Sequence, residues 1–462
     1  MTTRTERDLL GELAVPADAY YGVHTRRAMA NFPISGLPLA THPELVVALA
    51  QVKRAAALAN HDVGLLPSGK AAAIVAACEE IAGGALHEQF TVDVIQGGAG
   101  TSSNMNVNEV VANRALELLG RPRGDYAHVH PIDDVNLGQS TNDVYPTAVK
   151  LAVHAAATEL LDAMAELRTA LHAKGREFAE VVKIGRTQLQ DAVPMTLGQE
   201  FTAFAVTLGE DELRLAEALT LLNEINLGGT AIGTGLNAHP DYARLACAHL
   251  ARLTGQPLVT ASDLVEATAD VGVFVQLSGV LKRVAVKLSK TCNDLRLLSS
   301  GPQAGFNEIR LPKAQAGSSI MPGKVNPVIP EVVNQIAFEV IGNDTTVTLA
   351  AEAGQLQLNA FEPIIAHSLL KSLRHLTTGA RTLARRCITG ITANTDYLSR
   401  QVRESIGLVT ALNPVIGYEA ASALAKRAAA TGRSIHELVV DDGLLTAEQL
   451  DTLLGLPTGA AR

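Results

Sequence analysis

Five stretches of the 462-residue chain gather hydroxyl, amide and glycine residues where the surrounding pattern is helical. GGAGTSSNMNVNEV (97–110) has glycines that free the backbone, then Thr101, Ser102 and Ser103, any of which can cap the helix that follows. A helix start carrying hydroxyl donors is also a ready anion site. GQSTNDVYPT (138–147) sets Ser140, Thr141 and Asn142 in a row at the head of a long helical pattern, where a cap needs only one hydroxyl. Pro146 is tolerated there because it falls near the first turn. GRTQLQDAVPMTLGQE (185–200) places Thr187 and Gln188 beside Arg186, which serves either a polar loop between helices or a ligand site. GGTAIGTGLN (228–237) is glycine-rich but lacks the strand–loop–helix context and the Lys of a phosphate loop, so it reads as a tight turn between bundle helices. AGSSIMPGKVNP (316–327) carries Ser318, Ser319, Lys324 and Asn326 between hinge glycines and lies between two long apolar helices. A helix–helix connection needs only a few polar residues, so this loop reads as a functional lid.

Hydroxyls, amides and one Lys suit a carboxylate that becomes more negative during reaction. Removing a proton from the carbon beside a carboxylate makes such a species, a doubly negative enediolate. One oxyanion donor contributes ~3–4 kcal/mol, so several must converge. No stretch has the Cys, His and carboxylate spacing of a metal site, and no Ser–His–Asp set is evident from spacing. No metal and no cofactor are expected. Read from residue types alone, the chemistry reaches proton abstraction beside a carboxylate and goes no further.

Those stretches need a frame. Apolar residues make up 47% of the chain, aromatics only 3%, and Trp is absent, so the core must be built from Ala, Leu, Val and Ile. One stripe with helical spacing runs through Val149, Val153, Ala156, Leu160, Met164, Leu167 and Leu171. Another runs through Val271, Phe274, Leu277, Leu281, Val284, Leu288, Cys292 and Leu295. With the stretches 196–223, 328–352 and 362–390 these predict five long helices, which bury continuous stripes only against one another. The expected fold is mainly α with three domains: a mixed, mostly helical 1–140, a central long-helix bundle 141–395, and a small helical 396–462. VVNQIAFEVIG is apolar on more than one face, which a single bundle cannot cover, so association with other chains is expected.

Bulk properties exclude several classes. A net charge of -9 argues against a nucleic-acid partner and means that a dicarboxylate site must carry its own cations. Cys78, Cys247, Cys292 and Cys387 are far apart and read as buried, reduced thiols. The opening MTTRTERDLLGE has no apolar signal core, and no apolar run approaches the ~18 residues that span a bilayer, so a cytoplasmic protein without a membrane partner is expected.

GSSIMPGKVNP resembles the signature loop of the fumarase/aspartase superfamily, and the likeness covers nearly the whole chain. VPADAYYGVHTRRAMANFPISG, HPIDDVNLGQSTNDVYPT, GRTQLQDAVPMTLGQEF and LQLNAFEPII are most similar to its aspartases. Fumarases typically read GRTH where this chain has GRTQ at 185–188, and tend to have His where Asp134 stands. Argininosuccinate and adenylosuccinate lyases differ after the MP of the loop. The resemblance implies reversible elimination of ammonia from L-aspartate to give fumarate, with fumarate hydration or a catalytically silent scaffold as alternatives. It implies that Ser318 is the base that takes the Cβ proton. Thr101, Ser140, Thr141 and Ser319 would hold the β-carboxylate as it becomes the enediolate. Thr187, Lys324 and Asn326 would bind the α-carboxylate and Asn142 the amino group, with Gln188 close by. It also implies a homotetramer whose sites are each assembled from three chains.

Overall fold

The computed structural model describes residues 2–317 and 319–455, so Ser318 lies outside the described residues. The fold is mainly α. Five helices dominate it: Thr141–Glu177, Leu197–Thr220, Gly272–Leu298, Val328–Glu352 and Glu362–Arg386. They are the five that the apolar spacing predicts. Every residue of the two stripes named above is buried, among them Val149, Leu160 and Leu167 in the first and Leu277, Cys292 and Leu295 in the second. Helices of this length draw most of their stability from such burial rather than from intrinsic propensity.

By contacts the chain divides into two units. The first comprises Met1–Leu161, Leu213–Arg283 and Phe338–Leu376; the second comprises Asp162–Glu212, Val284–Ala337 and Thr377–Arg462. Each of the five long helices contributes residues to both.

In the first unit, helices Pro43–Asp62, Ser68–Ala82 and Thr101–Leu118 pack together, and Tyr242–Thr254 packs on Pro43–Asp62. An antiparallel hairpin, Thr3–Asp8 with Gly11–Pro16, opens the chain. The following turn is tied to helix Thr101–Leu118 through Glu109, which is 1% exposed. Its carboxylate accepts from the N–H groups of Gly22 (2.8 Å) and His24 (2.8 Å) and from the Thr25 hydroxyl (2.7 Å). Burial raises the Glu109 pKa to about 7, against the pull of these hydrogen bonds. A Cβ at Gly22 would lie 2.5 Å from Glu6 Oε2 and 2.9 Å from Cδ of Glu109, so a larger residue would push on the carboxylates that hold this turn.

In the second unit, 185–200 is not an interhelical loop. Val182–Thr187 pairs antiparallel with Gln190–Thr196, and helix Leu197–Thr220 follows. The hairpin turns on Gln188 and Leu189, both at positive φ (+52° and +63°). Two-residue hairpin turns favour that geometry because it matches strand twist, but Gln-Leu carries none of the Asn-Gly signal that announces it. Ile184 of the hairpin joins the core of the C-terminal helices, with Val402, Leu412, Leu424, Leu438 and Leu450. A two-residue antiparallel pairing, Ile309–Arg310 with Thr392–Ala393, anchors the chain shortly before the 316–327 loop.

All four cysteines are buried and free. Burial pushes the Cys78 and Cys387 thiols up to about 12. No described helix is long and apolar enough to cross a membrane.

Candidate active site

In the first unit, two helix starts meet. Thr101 begins helix Thr101–Leu118 after Gly100, which is held at φ +87°. A Cβ on Gly100 would lie 2.4 Å from Cγ of Tyr145, so that ring presses directly on the turn. Tyr145 belongs to helix Thr141–Glu177, and one turn before it come Ser140, Thr141 and Asn142. The contact therefore holds the two donor-bearing starts side by side. Asn104 of the first helix donates from Nδ2 to the Thr141 hydroxyl at 3.2 Å. The Ser140 hydroxyl accepts from the Asn142 N–H at 3.3 Å. Because both hydroxyls accept, each keeps its own proton for another acceptor. Thr101 differs, since its hydroxyl already donates to the Gly98 carbonyl at 2.6 Å. A cavity of about 210 Å3 opens here, lined by Gln139, Ser140, Thr230, Ala231 and Asn237.

Asp143 secures this start. Its carboxylate accepts from the N–H groups of Ser140 (2.9 Å) and Gly228 (2.7 Å). It is fully buried, and burial raises its pKa to about 6 while those N–H groups and the Lys53 charge pull the other way. Pro146 cannot donate to the carbonyl four residues back, which is that of Asn142. Asn226 fills the vacancy from Nδ2 at 3.0 Å. Asn142 in turn donates from its side chain to the Ala231 carbonyl at 2.6 Å. The 228–237 stretch is thus no simple turn between bundle helices. It wraps the donor cluster with Thr230 and Ala231 held at φ +42° and +41°, and it leads into the shorter helix Tyr242–Thr254. Backbone strain of this kind gathers at functional sites.

Beneath the cluster is a residue that spacing did not single out. Lys53 is fully buried on helix Pro43–Asp62. Its ammonium donates to Asn104 Oδ1 (2.7 Å), Asn136 Oδ1 (2.9 Å) and Gln139 Oε1 (2.9 Å). Burial lowers its pKa to about 7, and nearby Asp143 raises it. Asp134, one of the positions that favours the aspartase likeness, is paired with Lys70 at 2.8 Å.

The second unit carries the remaining candidates. Thr187 and Gln188 are exposed at the hairpin tip. The strand behind them is tied down by a charge cluster. The fully buried Glu308 lies 2.7 Å from Lys183 Nζ and 2.5 Å from Arg186 Nη1, and Lys183 also meets Glu200 at 2.7 Å. The Arg186 guanidinium sits 4.3 Å over the Phe306 ring.

In the 316–327 loop, Ser319 and Lys324 are exposed, whereas Asn326 turns back to donate to the Gly317 carbonyl at 2.8 Å. The Gly317 N–H donates to the Lys324 carbonyl at 3.0 Å. A Cβ on Gly317 would fall 2.4 Å from that carbonyl oxygen, so the loop's neck requires glycine. Lys324 and Asn326 line a cavity of about 660 Å3 together with Arg296, Arg310 and Lys313, and among the described residues no carboxylate lines it. Thr187 and Gln188 do not line it. Among the described residues no three His, Cys, Asp or Glu side chains gather as a metal site.

Comparison with known proteins shows the family of the chain. The profile of a family described as Lyase matches residues 11–342, and one described as Fumarase C C-terminus matches 408–456. The aspartate ammonia-lyase of Pseudomonas aeruginosa is 61% identical over 454 residues, covering 98% of this chain and 96% of that protein. The aspartate ammonia-lyase of Escherichia coli strain K12 is 55% identical over 454 residues, covering 98% and 95%. Among solved structures, a fumarate lyase:delta crystallin from Brucella melitensis superposes with a TM-score of 0.96 at 59% identity over 98% of both chains. A class II fumarase from Schistosoma mansoni superposes with a TM-score of 0.91 at 36% identity, again over 98% of both. With profiles spanning most of its length and relatives this similar end to end, the chain belongs to the lyase family of the fumarase/aspartase superfamily.

Proposed function

We propose that the protein is an aspartate ammonia-lyase, a carbon–nitrogen lyase that eliminates ammonia from L-aspartate to give fumarate. The observation that carries this reading is the donor cluster at 140–141. Two hydroxyls accept from the protein and so keep their protons for an incoming carboxylate, beside the head of a 37-residue helix whose start favours negative charge. The identity to named aspartate ammonia-lyases supports the choice of substrate.

In this reading Ser318 takes a proton from Cβ of aspartate. The electron pair left behind delocalises into the β-carboxylate, giving a doubly negative enediolate. Thr101, Ser140, Thr141 and Ser319 stabilise it, Thr101 after releasing Gly98. Thr187, Lys324 and Asn326 hold the α-carboxylate, Gln188 stands close by, and Asn142 holds the amino group. Collapse of the enediolate expels the amine from Cα, and the double bond of fumarate forms. A serine hydroxyl is a weak base until its anion is stabilised, a task that falls to the loop N–H groups and Lys324 as the loop closes. No organic cofactor enters the scheme.

The assembly we propose is a homotetramer with sites shared among three chains. Large apolar side chains on the long helices support it: Phe338 is 63% exposed, Leu349 62% and Leu213 60%. Leaving such surface in water is costly and invites aggregation. Domains at 1–140, 141–395 and 396–462 and a cytoplasmic location belong to the same reading, the latter supported by four buried free thiols.

The test is direct. Purified protein given L-aspartate should form fumarate and ammonia, and Ser318→Ala should lose ~10²–10⁴-fold or more while staying folded. Turnover of malate with none of aspartate would overturn the assignment.

A further inference from the structure

We propose that Lys53 is a positioning residue that sets the direction of the hydrogen bonds beneath the donor cluster, so that Thr141 meets a substrate carboxylate with a proton rather than a lone pair. The proposal rests on the reading of Thr141 as a carboxylate donor and deepens it.

Three amide oxygens at 2.7–2.9 Å around Lys53 fit its ammonium form, which can only donate and has three N–H groups. All three are used at Lys53, on Asn104 Oδ1, Asn136 Oδ1 and Gln139 Oε1. Each of those side chains must therefore turn its oxygen toward Lys53 and its NH2 away. A flipped Asn104 would aim an NH2 at an ammonium, with no water to separate them, because Asn104 is 2% exposed and Lys53 fully buried. The Asn104 NH2 is left to donate to Asn136 Oδ1 (3.1 Å) and to the Thr141 hydroxyl (3.2 Å). A hydroxyl that accepts there points its own proton elsewhere. The order runs ammonium to amide oxygen, amide NH2 to hydroxyl oxygen, hydroxyl proton to substrate. Reversing any link reverses those above it. Nothing in simple packing calls for a buried Lys on this helix, where Leu49, Val52 and Ala56 form the same face.

Asn104→Asp is the informative substitution. It keeps the shape and hands Lys53 a carboxylate, so the fold should hold or gain in stability. The carboxylate cannot donate to Thr141, however, and would instead accept the Thr141 proton. kcat/KM for aspartate should fall about 10- to 100-fold, the loss expected when a hydrogen bond to a charged group disappears. Thr141→Val should lose a similar amount, and the double variant should lose no more than Thr141→Val alone. Asn104→Leu, which removes the donor without offering an acceptor, should be milder than Asn104→Asp, although it changes the packing more.

Losses that multiply in the double variant, or an Asn104→Asp enzyme with unchanged kcat/KM, would overturn the proposal. Should Asn104→Asp not fold, Lys53→Met paired with Thr141→Val gives the same reading. Non-additive losses support the relay, and multiplied losses reduce Lys53 to a packing role. If the unaltered protein turned over no aspartate, the proposed function would fail instead. The two failures are therefore distinguishable.

Discussion

Glu308→Gln isolates the cluster that holds the Thr187–Gln188 turn. The substitution keeps size and shape but replaces one oxygen by NH2, so that a donor faces Lys183 or Arg186. Removing one partner of a buried ion pair typically costs about 3–5 kcal/mol, because the remaining charge loses its compensation. Two features lower that here. Lys183 keeps Glu200 at 2.7 Å, and Arg186, whose side chain is 15% exposed, keeps the Phe306 ring at 4.3 Å. A loss of about 2–3 kcal/mol follows. The turn should feel it. Gln188 and Leu189 sit at φ +52° and +63°, a conformation that costs L-residues roughly 1–2 kcal/mol each and persists only while its anchors hold. KM for aspartate should therefore rise several-fold, with a smaller change in kcat. The assay is urea unfolding followed by circular dichroism at fixed chain concentration, together with steady-state kinetics. Lys183→Met alone should also destabilise. Combined with Glu308→Gln it should recover at least ~1 kcal/mol relative to the sum, since the orphaned cation has been removed. The reasoning fails if Glu308→Gln stays within ~0.5 kcal/mol of the parent, or if the two changes simply add.

Further expectations follow from other parts of the molecule. An inactive Ser318→Ala protein and a weakened Thr141→Val protein, unfolded and refolded together, should show more activity than the two refolded apart if sites are shared between chains. Mixed tetramers with no such gain would refute that arrangement of the two residues. Arg310→Gln with Lys313→Gln should raise KM for aspartate a few-fold and flatten its dependence on salt, because two cations leave the cavity that contains Lys324; an unchanged salt dependence would separate that cavity from substrate approach. Glu362, fully buried, has its pKa raised by burial to about 8, partly offset by Lys150. With an unfolded value near 4.5, its contribution is fully present below about 4.5 and is lost as pH rises to about 8. Glu362→Gln should therefore melt progressively higher than the parent as pH goes from 5 to 8, with the gap level above that; a constant gap would show that the carboxyl ionises as freely as in the unfolded chain.

Sequence and structure agree along the two long stripes whose spacing reports burial. The stripe from Val149 to Leu171 is one continuous buried face, and periodicity is a direct statement of that fact. The excess of hydroxyls at 140–141 was legible for a related reason, since a cap uses one and the chain supplies two. The hairpin at 182–196 was not legible, because burial does not alternate cleanly along its strands and its Gln-Leu turn adopts positive φ without glycine or asparagine. Nor was the frame around the site. Asn226 lies 84 residues from the carbonyl that Pro146 leaves open, and Lys53 lies 51, 83 and 86 residues from its three acceptors. No window of sequence contains such pairs. Two signals were nevertheless present. Lys53 interrupts the apolar face of Leu49, Val52 and Ala56, and a Lys is rarely placed inside a stripe unless polar partners come from elsewhere. The run NMNVNEV supplies Asn104, Asn106 and Asn108 within one helix, against their propensity, and all three are buried. Each anomaly alone suggests a local compromise. Together they are complementary, a donor without acceptors on one helix and amides without an evident role on another, and their pairing is what the fold provides.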